Sequence, residues 1–308
     1  MKPSPDGSGG CPRGAHSSRV ARERAIEWAL LFAALTSVAV TVGIAGVLVY
    51  ESLPFFRHVS LAEFLTDPQW TPLFSEAHYG ILPLVAGTLV TTAVALLMAL
   101  PVGTITAIYL SECATLVVRE TVKPLLELLT AVPTVVFGYF ALLFVTPFLQ
   151  LIWADLPGFN MLSAGLVIGV MIIPYVSSLS EDAMRAVPMD IREGSYAMGA
   201  TRMQTALRVV VPSALSGIAA AYALGISRAI GETMVVAIAA GMQPTLTWNP
   251  LEPAETITAY IVQVSLGDLP HGSIGYQSIF AAGLTLLLMT LLFNVAGYLL
   301  RKGFWKAY

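Results

Sequence analysis

Four residues in one apolar stretch carry the most distinctive chemistry of this chain. Within ALGISRAIGETMVVAIAAG stand Ser227, Arg228, Glu232 and Thr233. Counted along a helix from Pro212, Arg228 lies about 24 Å up and Glu232 about 6 Å further, which is membrane depth. Charges there are costly and face a bundle interior or a water-filled path. Residues four apart share a helix face, so Arg228 and Glu232 are expected to pair. Two roles stay open. A buried salt bridge would fix the register of a helix bundle. A guanidinium fork would instead meet a tetrahedral oxyanion, with Glu232 moderating the charge so that the anion leaves again and Ser227 and Thr233 adding neutral hydrogen bonds. Gly217, Ala221, Gly225 and Ala229 form a small-residue ridge beside them, against which a neighbouring helix approaches closely.

Other site chemistry is missing. No GxxxxGK followed by Ser or Thr exists, so ATP and its magnesium are expected on another chain and no cofactor in this one. His16, His58, His78 and His271 fall in the tail or in loops, with no HExxH and no Cys/His cluster, so no metal site is expected. No paired nucleophile and base suggests an enzyme. Glu112 and Glu127 read as solvated or capping residues. A formal net charge of −3 without a Lys/Arg-rich patch points to no nucleic-acid partner.

The elements that must position these residues are membrane spans. Of 308 residues, 56% are hydrophobic and 11% charged, with mean hydropathy +0.76, far from the roughly 25% charged usage of soluble domains. Residues 1–24, rich in Gly, Ser, Pro and Arg, are expected to be a disordered tail. The run 25–50 is too long for a leader's apolar core and is expected to stay as a transmembrane helix. A loop, 51–79, and a five-helix core, 80–308, follow. Apolar runs at about 80–110, 124–153, 162–178, 211–241 and 278–300 bring the spans to six. Pro101, Pro133 and Pro147 are expected kinks, and Pro174 is expected to unwind the end of the short fourth span.

Charge gives orientation. Of the 16 Lys and Arg, fourteen fall on one side if there are six spans. They are Lys2, Arg13, Arg19, Arg22 and Arg24, then Arg119 and Lys123, Arg185, Arg192, Arg202 and Arg208, and finally Arg301, Lys302 and Lys306. That side is expected to be the cytoplasm, with both termini in it. Cys11 and Cys113 then lie in a reducing compartment, so no disulfide is expected. The outer loop 242–277 holds no Lys or Arg, and its amphipathic stretch 256–266 reads as a structural plug packed inward rather than a docking surface.

Between the fourth and fifth spans lies a polar island, DIREGSYAMGATRMQTALRVVVP. It reads as two short helices and a hinge: Asp190 capping the first with Glu193 bonding back, Gly199 at positive φ, and a second capping box of Thr201 and Gln204. Glu193, Gly194 and Ser195, then Gly199, then Val209, Val211 and Pro212 fall at the spacing of the EAA motif. The chain thereby resembles the membrane subunits of binding-protein-dependent ABC importers. The resemblance implies the all-α, MetI-like permease fold and a cytoplasmic coupling helix within 190–208. In it Arg192, Glu193, Gly194, Ser195, Gly199, Ala200 and Thr201 would dock an ATPase.

A narrower likeness is carried by YGILPLVAGTL, AIYLSE, ELLTAVPTVVFGYFAL and SRAIGETM. Together these are similar to the PstC family of phosphate permease subunits. What that resemblance implies is a multi-pass protein of the bacterial inner membrane that passes inorganic phosphate. Its partners would be a PstA-like permease subunit, a PstB-like ATPase dimer, a PstS-like periplasmic phosphate-binding protein and membrane lipid. Sulfate or molybdate permeases, and a non-transporting scaffold or sensor, are the alternatives.

Overall fold

The computed structural model describes residues 13–305 except 73, 75, 268 and 271, with side chains between 22 and 299. Lys2, Cys11, Asp268, His271 and Lys306 lie outside the described residues. The chain divides into two compact units, Met1–Tyr50 and Glu51–Tyr308. Helix α1, Arg13–His58, makes up the described part of the first unit and enters the second. It begins well before residue 25, where a tail was expected, because the run RVARERAIEW contains good helix formers and no breaker.

In the second unit α2 (Leu61–Thr66) is capped by the Ser60 hydroxyl, which accepts from the Glu63 amide. Helix α3 (Leu82–Ile108) starts with Pro83 in its first turn and runs unbroken through Pro101 into a π turn, Tyr109–Cys113. Cys113 is a free thiol. Helix α4 (Leu116–Ala131) stops at Val132, which the following Pro133 holds extended. Helix α5 (Thr134–Phe140), a π turn Ala141–Val145 and α6 (Thr146–Gln150) then leave at 90° to α4. The expected single span 124–153 is therefore an amphipathic helix followed by a separate apolar one. Pro147 sits just after the π turn, within a helical run that continues through it.

Helix α7 (Met161–Arg185) is longer than the expected fourth span and is not unwound at Pro174. Its glycines explain this: a Cβ on Gly165 or Gly169 would strike Val94 or the Ala95 carbonyl of α3, and one on Gly103 of α3 would strike Val176. Such close pairing holds the helix through a proline that removes one intrahelical bond. The polar island follows as α8 (Met189–Ala197), α9 (Arg202–Thr205), a π turn Ala206–Val210 and α10 (Val211–Ser213). Helix α11 (Leu215–Ile230) is bent by 72° from the helical run before it. The remaining elements are α12 (Met234–Ala239), α13 (Ile257–Ser265) and α14 (Ile274–Trp305).

Four helices among the described residues are long and apolar enough to cross a membrane, and six spans result if each of the two bent pairs counts as one. The expected small-residue ridge of α11 lies against α7: Gly217 faces Ala183, and Gly225 faces Val176 and Ile172. A core of Ala95, Ala99, Ile168, Met171, Ile172, Val235 and Val236 joins α3, α7 and α12. A second core lies at the other end of α3, where Phe55, Phe64, Trp70, Ile81, Leu84, Ile257 and Tyr260 meet. Helix α13 buries Ile257, Tyr260 and Val264 there, as an inward-packed plug should.

Candidate functional site

Arg228 and Glu232 do not pair. Helix α11 ends at Ile230, and the chain turns through Gly231 before α12 begins. Arg228 thus stands in the last turn of α11 and Glu232 in the connection beyond it, so the face-sharing of an unbroken helix no longer applies. Glu232 is 8% exposed; its Oε1 accepts from the Val235 amide at 3.4 Å. Its main-chain carbonyl accepts from the Thr258 hydroxyl at 2.7 Å, which ties this turn to α13. The break gives Glu232 a main-chain partner that no sequence spacing announced.

The Arg228 guanidinium sits over the ring of Tyr175 on α7, 4.4 Å from its centroid. Its Nε is buried without a hydrogen-bond partner, and no carboxylate among the described residues lies within ion-pair distance. A ring face stabilises a cation without neutralising it. The fork therefore remains chemically available to an anion. Ser227 donates to Asn294 of α14 at 2.8 Å and to its own helix at Ala223, while Thr233 donates to the Gly231 carbonyl. Tyr175, Asn294 and Thr258 were not anticipated, since each partner is distant in the chain.

The second predicted site, on α8 and α9, keeps its glycine hinge and its second capping box and differs in its first cap. Gly199 has φ +83° with open space around it, so the glycine is required by the backbone and not by crowding. Thr201 and Gln204 form the reciprocal capping box. The capping box expected of Asp190 and Glu193 is a correction: Pro188 occupies the cap with no side-chain hydrogen bond, and Asp190 stands in the first turn, where its charge suits the helix dipole. The Ser195 and Thr205 hydroxyls meet at 2.9 Å and join the two short helices. Glu193, Gly194, Gly199 and Thr201 are exposed and Ala200 half-buried. Met189, Ile191, Met198 and Met203 are exposed around them, an adaptable apolar patch of the kind that marks a protein contact.

Arg192 faces the other way. Its side chain is 12% exposed; Nη2 lies 3.1 Å from Glu112 Oε1 and donates to the Met184 carbonyl at 2.7 Å. Glu112, expected to be solvated, has a side chain 5% exposed and also accepts from Ser111. Beside it Glu181, fully buried, pairs with Arg119 and Lys123 at 2.7 Å each.

The family described as binding-protein-dependent transport system inner membrane component matches residues 99–306. The chain belongs to this family. It is 37% identical to the probable ABC transporter permease protein YqgH of Bacillus subtilis, over 84% of each chain. It is also 33% identical to the phosphate transport system permease protein PstC 1 of Mycobacterium tuberculosis, over 88% of this chain and 90% of that one. In fold it is similar to a bacterial alginate ABC importer, with TM-score 0.63 and 18% identity over 92% of this chain and 98% of that chain. The protein is therefore an ABC importer permease of the inner membrane, and the importers' MetI-like helical fold is the one observed.

Proposed function

We propose that the chain is a permease subunit for inorganic phosphate, with Arg228 as the residue that meets the anion. The observation that carries this reading is a guanidinium at membrane depth, resting on Tyr175, with no carboxylate among the described residues within ion-pair distance. Relatives named as phosphate permeases support the choice of oxyanion. A PstA-like subunit would complete the path. A PstB-like ATPase dimer, holding ATP and magnesium, would dock on α8 and its exposed methionines, and a PstS-like protein would deliver phosphate from outside. The basic end of the chain, carrying α8, would be cytoplasmic.

The test is uptake of labelled phosphate into vesicles carrying the purified complex, with sulfate, molybdate and arsenate as competitors. Competition by arsenate alone supports the reading, and equal competition by sulfate removes the phosphate assignment. Arg228→Lys, which keeps the charge but loses the planar fork, is expected to lower uptake on the order of tenfold or more. Unchanged uptake in that variant would place the anion path elsewhere.

A further inference from the structure

We propose that the Arg192–Glu112 ion pair is the pin through which movement of α8 reaches the end of α3. Arg192 is then a positioning residue for transport and not a docking contact. The proposal rests on the reading of α8 as the segment an ATPase moves. The side chain is turned into the protein and joins three elements: α8 itself, the π turn Tyr109–Cys113 through Glu112, and the last turn of α7 through the Met184 carbonyl. Docking is left to the neighbours that are exposed, Glu193, Gly194 and Met198 among them.

Two details argue for a moving joint over a static brace. The helix is widened to a π turn where Glu112 sits, and such turns recur at functional sites. Arg192 also uses its fork incompletely, because Nε is buried with no partner while Nη2 carries both contacts. Bidentate pairing is the stronger arrangement for an arginine and a carboxylate. A small rotation of α8 would bring Nε and Nη2 onto both Glu112 oxygens, which gives the joint a second arrangement with the same partners. From α7 the shift passes to α4, because Glu181 holds Arg119 and Lys123.

Glu112 makes the proposal testable, since it is buried and outside the segment that would touch an ATPase. In the assembled complex, Glu112→Ala and Arg192→Ala are each expected to lower phosphate transported per ATP hydrolysed by about tenfold, with ATPase co-purification unchanged. The double variant is expected to be no worse than either single one. Arg192→Lys, which keeps the charge, should recover part of the loss. Weaker co-purification with Arg192→Ala, alongside normal coupling in Glu112→Ala, would overturn the proposal and make Arg192 a docking residue. A second readout does not depend on the substrate. In membranes carrying the chain with Cys11→Ser, both alanine variants are expected to accelerate alkylation of Cys113, next to Glu112, by the same factor. Unequal or absent acceleration would overturn the pin. A wild type that imports no phosphate would defeat the substrate reading alone, and the Cys113 comparison would still decide the pin.

Discussion

Both ends of α3 are packed in apolar clusters, and at one of them buried charge is added. At one end Ile81 and Leu84 join Phe55, Phe64, Trp70 and Tyr260, with rings meeting edge to face, as Trp70 and Tyr260 do at 5.0 Å. At the other, Glu112 and Arg192 and the cluster of Glu181 with Arg119 and Lys123 link separate elements through charge. Near the aromatic end the His78 ring and the Asp67 carboxylate share a hydrogen bond at 3.0 Å. The hydrophobic gain from burying these rings is non-directional and accumulates with area, so it anchors. Hydrogen-bonded ion pairs are directional and can exchange partners, so they suit the end that an outside ATPase would move. The same helix is thus fixed at one end and linked at the other.

The sharpest break of that comparison is Glu181→Ala. The carboxylate is fully buried between two cations at 2.7 Å; removing it leaves Arg119 without its partner and Lys123 with Asp182 alone. Loss of one member of a buried pair costs about 3–5 kcal/mol. The expected result is a large drop in thermal unfolding temperature of the purified protein, with Arg119→Met and Lys123→Met together recovering part of it. An unchanged unfolding temperature would mean that the basic end owes its stability to packing, like the aromatic end.

Much of this was legible in the sequence where a residue acts on its near neighbours. Gly199 needs only its own φ, the Thr201 and Gln204 box spans three residues, and the ridge from Gly217 to Ala229 follows helical spacing. Span composition likewise speaks for itself. What stayed hidden depends on residues brought together by folding. Glu112 could not be told from a solvated acid without Arg192. Arg228 could not be placed on Tyr175 because the sequence offered Glu232 at the spacing of an intact helix. That helix ends at Gly231, where Glu232 turns to cap α12 and Thr258 holds its carbonyl. Pro174 misled for a related reason: proline argues against a helix locally, and close packing on α3 outweighs it.

A smaller effect is expected from Gly87→Val, which tests whether the aromatic end is as tightly filled as its rings suggest. A Cβ at Gly87 would overlap the main-chain carbonyl of Glu255, and backbone cannot step aside as a flexible side chain can. The loop is held there, since the Ile257 amide donates to the Thr88 hydroxyl at 3.1 Å. Overpacking of this kind costs about 1–3 kcal/mol. Thermal unfolding should register the loss, and protease cleavage in the 242–256 loop should quicken. Wild-type behaviour in both would show that the loop is free to lift, contrary to an anchored end.

The last expected effect is set by pH and concerns Glu255, a carboxyl built into the aromatic end. Glu255 is 2% exposed, lies in the loop before α13, and its Oε1 has no hydrogen-bond partner. It lines a cavity of about 130 Å³ with Trp70, Met242, Tyr260 and Gln263. Met242 holds φ +44° there, an uncommon conformation for a side-chain-bearing residue. Burial pushes the Glu255 carboxyl up to about 8. Because the folded state holds this proton more tightly than the unfolded chain does, the associated stability is complete below the ordinary carboxyl range and declines as pH rises through about 8. Tyr260, whose phenol burial also pushes upward, stays protonated throughout and does not compensate. Glu255→Gln keeps the shape and removes the titration. The difference in unfolding temperature between wild type and variant should therefore be slight at pH 5 and should grow in favour of the variant towards pH 9, by about 2–4 °C for each kcal/mol. A difference independent of pH would show that Glu255 is already ionised in the folded protein. The aromatic end would then contain a charge, and the contrast between the two ends of α3 would narrow to the number of ion pairs each one holds.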